Sequence, residues 1–259
     1  MRILVTNDDG IHARGLAVAE AIARQFSDDV WVVAPSEERS GAGHSLTLTR
    51  PLRLRQHGEK RFSVSGTPTD TVMMALLEVM DGKPDLILSG VNRGANLGED
   101  ATYSGTISAA MEGALAGIRA IALSQVYARE GVGDQVPFAT AEAWGERVIR
   151  PLLTADFSPG MLVSVNFPAL PPEQVQGIRV VRQGIRDYGR AKMVKQTDPR
   201  GFPYTGCPFT ASSRPPPGTA TWPQSVPVTS RSRRCISISP IVMRWRHWPR
   251  SIDMARLAR

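Results

Sequence analysis

Two adjacent aspartates, Asp8 and Asp9, are the first residues of the chain whose types and spacing could do chemistry. They follow the apolar run of residues 3–5, which predicts a buried strand. Neighbouring carboxylates raise each other's pKa unless a positive charge lies between them, and only Arg2 and Arg14 are close in sequence. A divalent cation would relieve this repulsion, because Mg²⁺ and Mn²⁺ prefer oxygen ligands. The alternative is an ordinary turn, since Asn, Asp and Gly all favour turns.

Further oxygen donors follow two other predicted strands. A strand at residues 30–34 leads into a polar loop that contains Ser40, and a strand at residues 85–89 leads into a loop that contains Asn92. Apolar residues at helical spacing in residues 15–26 complete a β-α-β unit, whose strands are parallel. In open sheets of this kind, ligands bind outside the carboxyl ends of the strands. We therefore expect these donors to converge with the two aspartates on one crevice.

A possible anion site precedes the helix predicted at residues 107–117. Ser104, Gly105 and Thr106 offer hydroxyls and backbone N–H groups at a helix start, where anions bind. The alternative is ordinary N-capping. A divalent cation beside an anion pocket is the arrangement that hydrolyses a phosphate ester, because the metal lowers the pKa of a bound water and neutralises charge on the phosphoryl oxygens.

Composition restricts the protein class. The 259 residues are 42% hydrophobic, which is enough for one large domain with an extension. No apolar run approaches the roughly 20 residues that span a bilayer. The start of the chain does not resemble a signal peptide, so a cytoplasmic location without membrane partners is expected. The net charge of the whole chain is +7. Residues 200–259 contain ten arginines and one acidic residue, which leaves 21 basic and 23 acidic side chains in residues 1–199. The basic charge is therefore confined to the C-terminal segment.

Other phosphate-binding classes lack their motifs. The chain has no Gly-x-x-x-x-Gly-Lys-Ser/Thr and no Gly-x-Gly-x-x-Gly after the first strand, which argues against a P-loop hydrolase and a dinucleotide-binding protein.

After about residue 201 the sequence becomes rich in Pro and Arg without an evident helical or strand period. This tail has three interpretations: disorder, a shifted reading frame or a nucleic-acid-binding segment. The first two are favoured, so nucleic acid is not expected as a partner.

Five motifs resemble the SurE family of stationary-phase survival proteins. They are Ile-Leu-Val-Thr-Asn-Asp-Asp-Gly-Ile at the N-terminus, then Gly-x-Gly-His-Ser, Gly-Thr-Pro-Thr-Asp, Ser-Gly-Val-Asn-x-Gly-x-Asn-x-Gly and Tyr-Ser-Gly-Thr. These motifs lie within residues 1–117, and a broader resemblance reaches about residue 200. Family members are metal-dependent 5′/3′-nucleotidases.

The resemblance implies a fold and a domain arrangement. The expected fold class is α/β, with a Rossmann-like, mostly parallel sheet flanked by helices and a C-terminal extension. Residues 1–183 would form the catalytic domain and residues 184–201 an extended assembly arm. Residues 202–259, which depart from the family pattern, would form an atypical tail. The implied assembly is a homodimer or homotetramer.

The resemblance also assigns the site. It implies one divalent metal ion per subunit, Mn²⁺ or Mg²⁺, held by Asp8, Asp9, Ser40 and Asn92. The residues implied to bind substrate are Asn96, Ser104, Gly105 and Thr106, with Gly43 and His44 in a matching loop. Asp8, Asp9 and Asn96 are the implied catalytic residues, and whether Asp8 is a ligand only, a base or a nucleophile stays open. The implied substrates are nucleoside 5′- and 3′-monophosphates, with short polyphosphate in some members; a non-catalytic nucleotide- and metal-binding module is the alternative.

Overall fold

The computed structural model describes residues 1–126, 137–184, 194–206 and 235–242. The described residues fall into two compact units. The larger unit contains the described residues up to Gln183 together with residues 235–242, and the smaller one contains Gly184 and residues 194–206. Within the described part of the chain, no helix is both long and apolar enough to cross a membrane.

A nine-stranded sheet forms the centre of the larger unit. Its strands are β1 (Ile3–Thr6), β2 (Val30–Pro35), β3 (Leu54–Gly58), β4 (Arg61–Val64), β5 (Leu86–Arg93), β6 (Arg119–Gln125), β7 (Met161–Phe167), β8 (Gly177–Val180) and β11 (Cys235–Val242). Their spatial order is β3-β4-β2-β1-β5-β6-β7-β11-β8. All neighbours pair in parallel except β3 with β4 and β7 with β11. The predicted mostly parallel sheet is therefore confirmed.

Helices cover both faces of this sheet, which explains why its central strands are apolar on both sides. The helices are α1 (Arg14–Arg24), α2 (Pro68–Met74), α3 (Gly105–Leu115) and α4 (Ala139–Leu152), with a π-helical turn at Ala75–Val79 and 3₁₀ turns at Gly98–Thr102 and Pro172–Gln174. One face packs against α1 and α4 through Val5, Leu88, Ile22 and Val148. The other face packs against α2 and α3 through Leu4, Ile87, Val72 and Ile107.

One strand differs from its predicted length. Strand β5 continues to Arg93, four residues beyond the predicted end, and its register with β6 shifts between Ser89 and Asn92. This difference matters for the site, since it places Asn92 on the end of a strand. Helix α2 begins at Pro68, because Thr67 and Asp70 form a capping box that fixes its start.

Strand β11 lies inside the predicted C-terminal tail. It pairs antiparallel with β7 from Ser237 to Val242 and parallel with β8. Ile236 and Ile238 point into the core on the side of α1 and α4. The prediction that this tail lacks a strand period is therefore wrong for residues 235–242, where isoleucines alternate with serines. Most of residues 202–259 lie outside the described residues, so the predicted domain boundaries stay predictions.

The smaller unit contains one antiparallel strand pair, β9 (Val194–Thr197) with β10 (Pro203–Gly206). The connection between them is closed by Asp198, whose Oδ1 accepts hydrogen bonds from the backbone N–H groups of Arg200 and Phe202, each at 2.9 Å. Strand β9 falls within the predicted arm of residues 184–201, whereas β10 lies beyond the predicted end of that arm.

Candidate metal and phosphate site

The turn after β1 holds both aspartates in place. The buried Asn7 donates from Nδ2 to the Gly10 carbonyl at 3.0 Å, and the Gly10 N–H donates back to Asn7 Oδ1 at 3.2 Å. Gly10 has a φ of +99°, a conformation that other residues rarely adopt. This closed turn presents Asp8 and Asp9 at the carboxyl end of the parallel sheet, where the sequence places a ligand site.

Asp8 is buried against the first turn of α3. Its side chain is held by Thr106, whose hydroxyl donates to Asp8 Oδ1 at 2.6 Å, and the residue is 4% exposed. A Cβ at Gly105 would lie 2.6 Å from Asp8 Cβ, so a glycine is required for this close approach. Burial, followed by the charge of Asp9, raises the pKa of Asp8 from 3.8 to about 6 against the opposing effect of the Thr106 hydrogen bond.

Asp9 has a more open and more charged environment. Its Oδ2 accepts a 3.4 Å hydrogen bond from the Arg93 backbone N–H. Burial raises the pKa of Asp9, the Arg93 N–H and guanidinium lower it, and the Glu38 carboxylate raises it. Arg93 Nη2 in turn lies 3.5 Å from Glu38 Oε1. A third carboxylate and a guanidinium therefore belong to the surroundings of the site.

Sequence reasoning missed Glu38 and Arg93. Only the cations close in sequence to the aspartates, Arg2 and Arg14, were predicted to lie near them. Strand β5, which pairs with β1, brings Arg93 beside Asp9. A signal was available, because Glu38 and Arg93 each lie within two residues of a predicted ligand, Ser40 or Asn92.

The predicted metal ligands outside the first turn are brought to the site to different degrees. The loop after β2 is tied to it by the Arg39 N–H, which donates to the Asp8 carbonyl at 2.8 Å. Ser40, on this loop, is exposed and its hydroxyl donates to Glu38 Oε1 at 2.9 Å. Asn92 donates from Nδ2 to the Gly94 carbonyl at 3.0 Å, so it would bind a cation through Oδ1.

The start of α3 has features of both predicted alternatives, an N-cap and an anion site. Its side chain caps the helix, with Oγ accepting from the Ile107 N–H at 3.1 Å. The other backbone N–H groups of the first turn have no acceptor within the helix, and the helix dipole adds partial positive charge there. Gly105 and Thr106 thus bring the start of this helix into direct contact with Asp8.

The remaining predicted substrate residues make other contacts. Asn96 is buried and donates from Nδ2 to Ser124 Oγ at 2.8 Å. Of the hydrogen bonds found among the described residues, none joins Asn96 to either aspartate. His44 Nε2 lies 3.0 Å from Glu112 Oε2 of α3, and Gly43 before it has a φ of +57°. His44 therefore ties the loop after β2 to α3.

A cavity of about 640 Å³ borders the site on the side of Asp9. Asp9, Glu38 and Arg93 line one part of it, and Arg14, Phe138 and Glu142 line another. Arg14 Nη2 and Glu142 Oε1 form an ion pair at 2.6 Å. The volume lies within the range of pockets that hold small molecules.

The residues present fit a hard divalent cation. Among the described residues, no cluster of three or more His, Cys, Asp or Glu side chains could hold a metal. A cation would therefore need the mixed set of Asp8, Asp9 and the amide of Asn92, with Ser40 beside them. These are oxygen donors, which suit Mg²⁺ or Mn²⁺ rather than zinc. The raised pKa values of both aspartates show two carboxylates that a cation would stabilise in their ionised form.

The fold and the site define an α/β protein with two adjacent carboxylates at the carboxyl end of a parallel strand, beside a helix N-terminus. The family model described as "Survival protein SurE" matches residues 3–190. The chain therefore belongs to the SurE family, and the resemblance seen in its motifs is confirmed.

Similar proteins cover most of the chain. The 5′-nucleotidase SurE of Rhizorhabdus wittichii is 72% identical over 205 residues, which are 79% of this chain and 81% of that protein. The 5′-nucleotidase SurE of Brucella canis is 50% identical over 241 residues, 93% of this chain and 92% of that protein. The crystal structure of the SurE protein from Aquifex aeolicus superposes with a TM-score of 0.72 at 34% identity, covering 93% of each chain.

Proposed function

We propose that this protein is a metal-dependent phosphomonoesterase that hydrolyses nucleoside 5′- and 3′-monophosphates to nucleoside and phosphate. The observation that carries the proposal is the position of Asp8, which lies between a second carboxylate and the first turn of α3. A cation site and an anion site thus share one residue. Relatives named 5′-nucleotidase support the same conclusion.

The metal would be held by Asp8, Asp9 and Asn92 with Ser40 beside them, and when bound it supplies Lewis acidity and a water of lowered pKa. The first turn of α3 binds the phosphoryl oxygens through its backbone N–H groups. Thr106 orients the Asp8 carboxylate toward this point through its hydrogen bond. In the overall reaction a water oxygen bonds to phosphorus, the ester P–O bond breaks and the nucleoside oxygen takes a proton.

The cavity beside Asp9 is the space we assign to the nucleoside. It adjoins the carboxylates, and its wall includes the apolar Phe138 and the charged pair of Arg14 and Glu142. This arrangement offers an apolar surface for a base and charged groups for its polar edge.

Phosphate release from a panel of nucleoside monophosphates tests the proposal, with Mn²⁺, with Mg²⁺ and with chelator. We expect metal-dependent release that falls by about 100-fold or more in Asp9→Asn. Even the substitution of a residue that only hydrogen-bonds to a metal ligand lowers metal affinity or activity by about 10- to 100-fold. Asp28→Asn is the matched control, because it removes the same charge from an exposed aspartate that also has an aspartate neighbour. Binding of Mn²⁺ and nucleotide without release would instead indicate a non-catalytic binding module.

Two further assignments stay proposals. A homodimer or homotetramer is tested by light scattering of the full chain. Trimming of short polyphosphate is tested by adding tripolyphosphate to the same panel. Neither the described residues nor the comparisons provide an observation that favours nucleic-acid binding.

A further inference from the structure

We propose that Asn166 of β7 is a positioning residue that fixes Asn96 in the loop after β5. The proposal rests on the proposed function, because Asn96 is a predicted substrate-binding residue of that site. Asn166 contacts none of the predicted metal ligands through the hydrogen bonds of the described residues. Its effect on the reaction would therefore act through Asn96.

Asn166 holds the backbone of Asn96 from both sides. Its Oδ1 accepts from the Asn96 N–H at 2.9 Å, and its Nδ2 donates to the Asn96 carbonyl at 3.3 Å. The two residues are 70 positions apart in the chain, and Asn166 is only 4% exposed. Hydrogen bonds from one side-chain amide to both the N–H and the carbonyl of a residue fix the position and the orientation of that residue's backbone.

The side chain of Asn96 is fixed by a second strand. Its Nδ2 donates to Ser124 Oγ of β6 at 2.8 Å, and Ser124 is fully buried. Ser124 and Asn166 are direct partners in the register of β6 with β7. Two neighbouring central strands therefore hold one loop residue through three hydrogen bonds.

This network is built into the rigid part of the sheet. The Asn166 Nδ2 group also donates to Ser164 Oγ at 3.3 Å, and Ser237 of β11 lies opposite Asn166 on the other side of β7. Sites are held most precisely when residues on strands support those on loops. Removing Asn166 would leave the buried N–H and carbonyl of Asn96 without their partner, which costs more than a surface hydrogen bond.

This loop begins directly after the predicted ligand Asn92 at the end of β5, whose Nδ2 is bonded to the Gly94 carbonyl. Gly94 also donates its N–H to the Gln125 carbonyl at the end of β6 at 3.0 Å. The loop is thus attached to β6 and β7 at Gly94 and at Asn96. Asn166 supplies the attachment farther from the metal ligands, so its loss should affect substrate binding and turnover more than metal affinity.

The experiment compares Asn166→Ala, Asn166→Asp and Val148→Ala in the full chain. Val148→Ala is the stability control, because it truncates a fully buried residue of α4 on the opposite face of the sheet. The readouts are kcat and KM for phosphate release, and backbone hydrogen exchange of residues 92–98 in the metal-free protein. Asn166→Asp keeps an acceptor for the Asn96 N–H and tests rescue by a conservative change.

We expect Asn166→Ala to lower kcat/KM by about 10- to 100-fold, the range found for residues that orient a metal ligand through a hydrogen bond. Hydrogen exchange of residues 92–98 should become faster, while exchange of β1 stays unchanged. Asn166→Asp should lie between wild type and Asn166→Ala, and Val148→Ala should lose thermal stability but keep kcat/KM within about threefold.

Two results would overturn the inference: a kcat/KM for Asn166→Ala equal to that of Val148→Ala, or unchanged exchange in residues 92–98. If Asn166→Ala does not fold, Asn166→Asp replaces it, since it removes the donor to the Asn96 carbonyl and keeps an acceptor for the Asn96 N–H, and the same two results apply. A wild-type protein that releases no phosphate would contradict the proposed function instead, because hydrogen exchange tests the positioning role without metal or substrate.

Discussion

The two aspartates of the site differ in what surrounds them. On the helix side, Asp8 contacts Gly105 and Thr106 and is nearly fully buried. On the cavity side, Asp9 meets the Arg93 N–H and the charged side chains of Arg93 and Glu38. Packing determines the first environment, whereas charges in contact with solvent determine the second.

This difference predicts which side of the site tolerates substitutions. The helix side leaves no room for a single methyl group, and its one strong hydrogen bond is buried. The cavity side depends on a 3.5 Å ion pair whose side chains are 47% and 53% exposed, and exposed pairs contribute little. We therefore expect substitutions on the helix side to have the larger effects.

Among substitutions that keep both aspartates, Gly105→Ala should have the largest effect on activity. The new Cβ would lie 2.6 Å from Asp8 Cβ and 2.9 Å from its Oδ2, so the carboxylate or the helix must move. Because displacements of about 1 Å cost about 100-fold in rate, we expect kcat/KM to fall by that factor or more. Phosphate release at saturating metal measures it.

Gly145→Ala in α4 is the matched control for this clash. Its Cβ would lie 2.5 Å from Ile22 Cδ1, so it also overfills a helix-packing contact, but on the face of the sheet away from α3. It should lower stability and leave the kinetics near wild type. Equal losses of activity in both variants would show that general overpacking, rather than the fit of Asp8 to α3, determines the result.

Asp8→Asn should stabilise the metal-free protein while abolishing its activity. The native pKa of about 6 exceeds the ordinary 3.8, so the folded protein binds the proton more tightly than the unfolded chain does. Ionised Asp8 therefore destabilises the fold increasingly as pH rises from 3.8 to 6, by about 3 kcal/mol in total. The asparagine keeps an oxygen for Thr106 but carries no charge.

Urea unfolding of metal-free wild type and Asp8→Asn measures this effect across pH. The variant should be more stable at pH 7.5 by up to about 3 kcal/mol, and the difference should vanish near pH 3.5. Asp28→Asn should show no comparable gain. A variant less stable than wild type at pH 7.5 would mean that the buried charge at Asp8 is already compensated without metal.

Much of the fold was predictable because its signals are local. The apolar runs of β1, β2, β5 and β7 mark strands buried on both faces, and the capping residues before α2 mark a helix start. The aspartate pair was equally visible, since its chemistry follows from two adjacent residues. The prediction that Asn92 converges on this pair rests on the parallel topology, in which β5 is the neighbour of β1.

What could not be predicted depends on contacts between distant residues. Asn166 is 70 positions from Asn96, and nothing in either neighbourhood shows that their amide groups meet. Arg93 and Asp9 are also distant in sequence and are brought together by the sheet, and the signal for Arg93 was its position next to the predicted ligand Asn92. Strand β11 was missed for another reason: its alternating run of isoleucines and serines is short and lies in a segment dominated by Pro and Arg.

Arg93→Met should have the smallest effect and is the sharpest test of the cavity side. It removes the guanidinium that lowers the pKa of Asp9 but keeps the backbone N–H that bonds to it. The pKa of Asp9 should rise, moving the acid side of the pH–activity profile to higher pH, with a loss of kcat/KM of about two- to fivefold, as exposed ion pairs contribute little.

Arg24→Met, which breaks the exposed pair with Glu20, is the control and should leave the profile unchanged. A 100-fold loss in Arg93→Met would contradict the comparison between the two sides, because an exposed charge would then matter as much as the packing of Asp8. In that case Arg93 would have to contact the substrate directly. The cavity side would then determine turnover as strongly as the helix side.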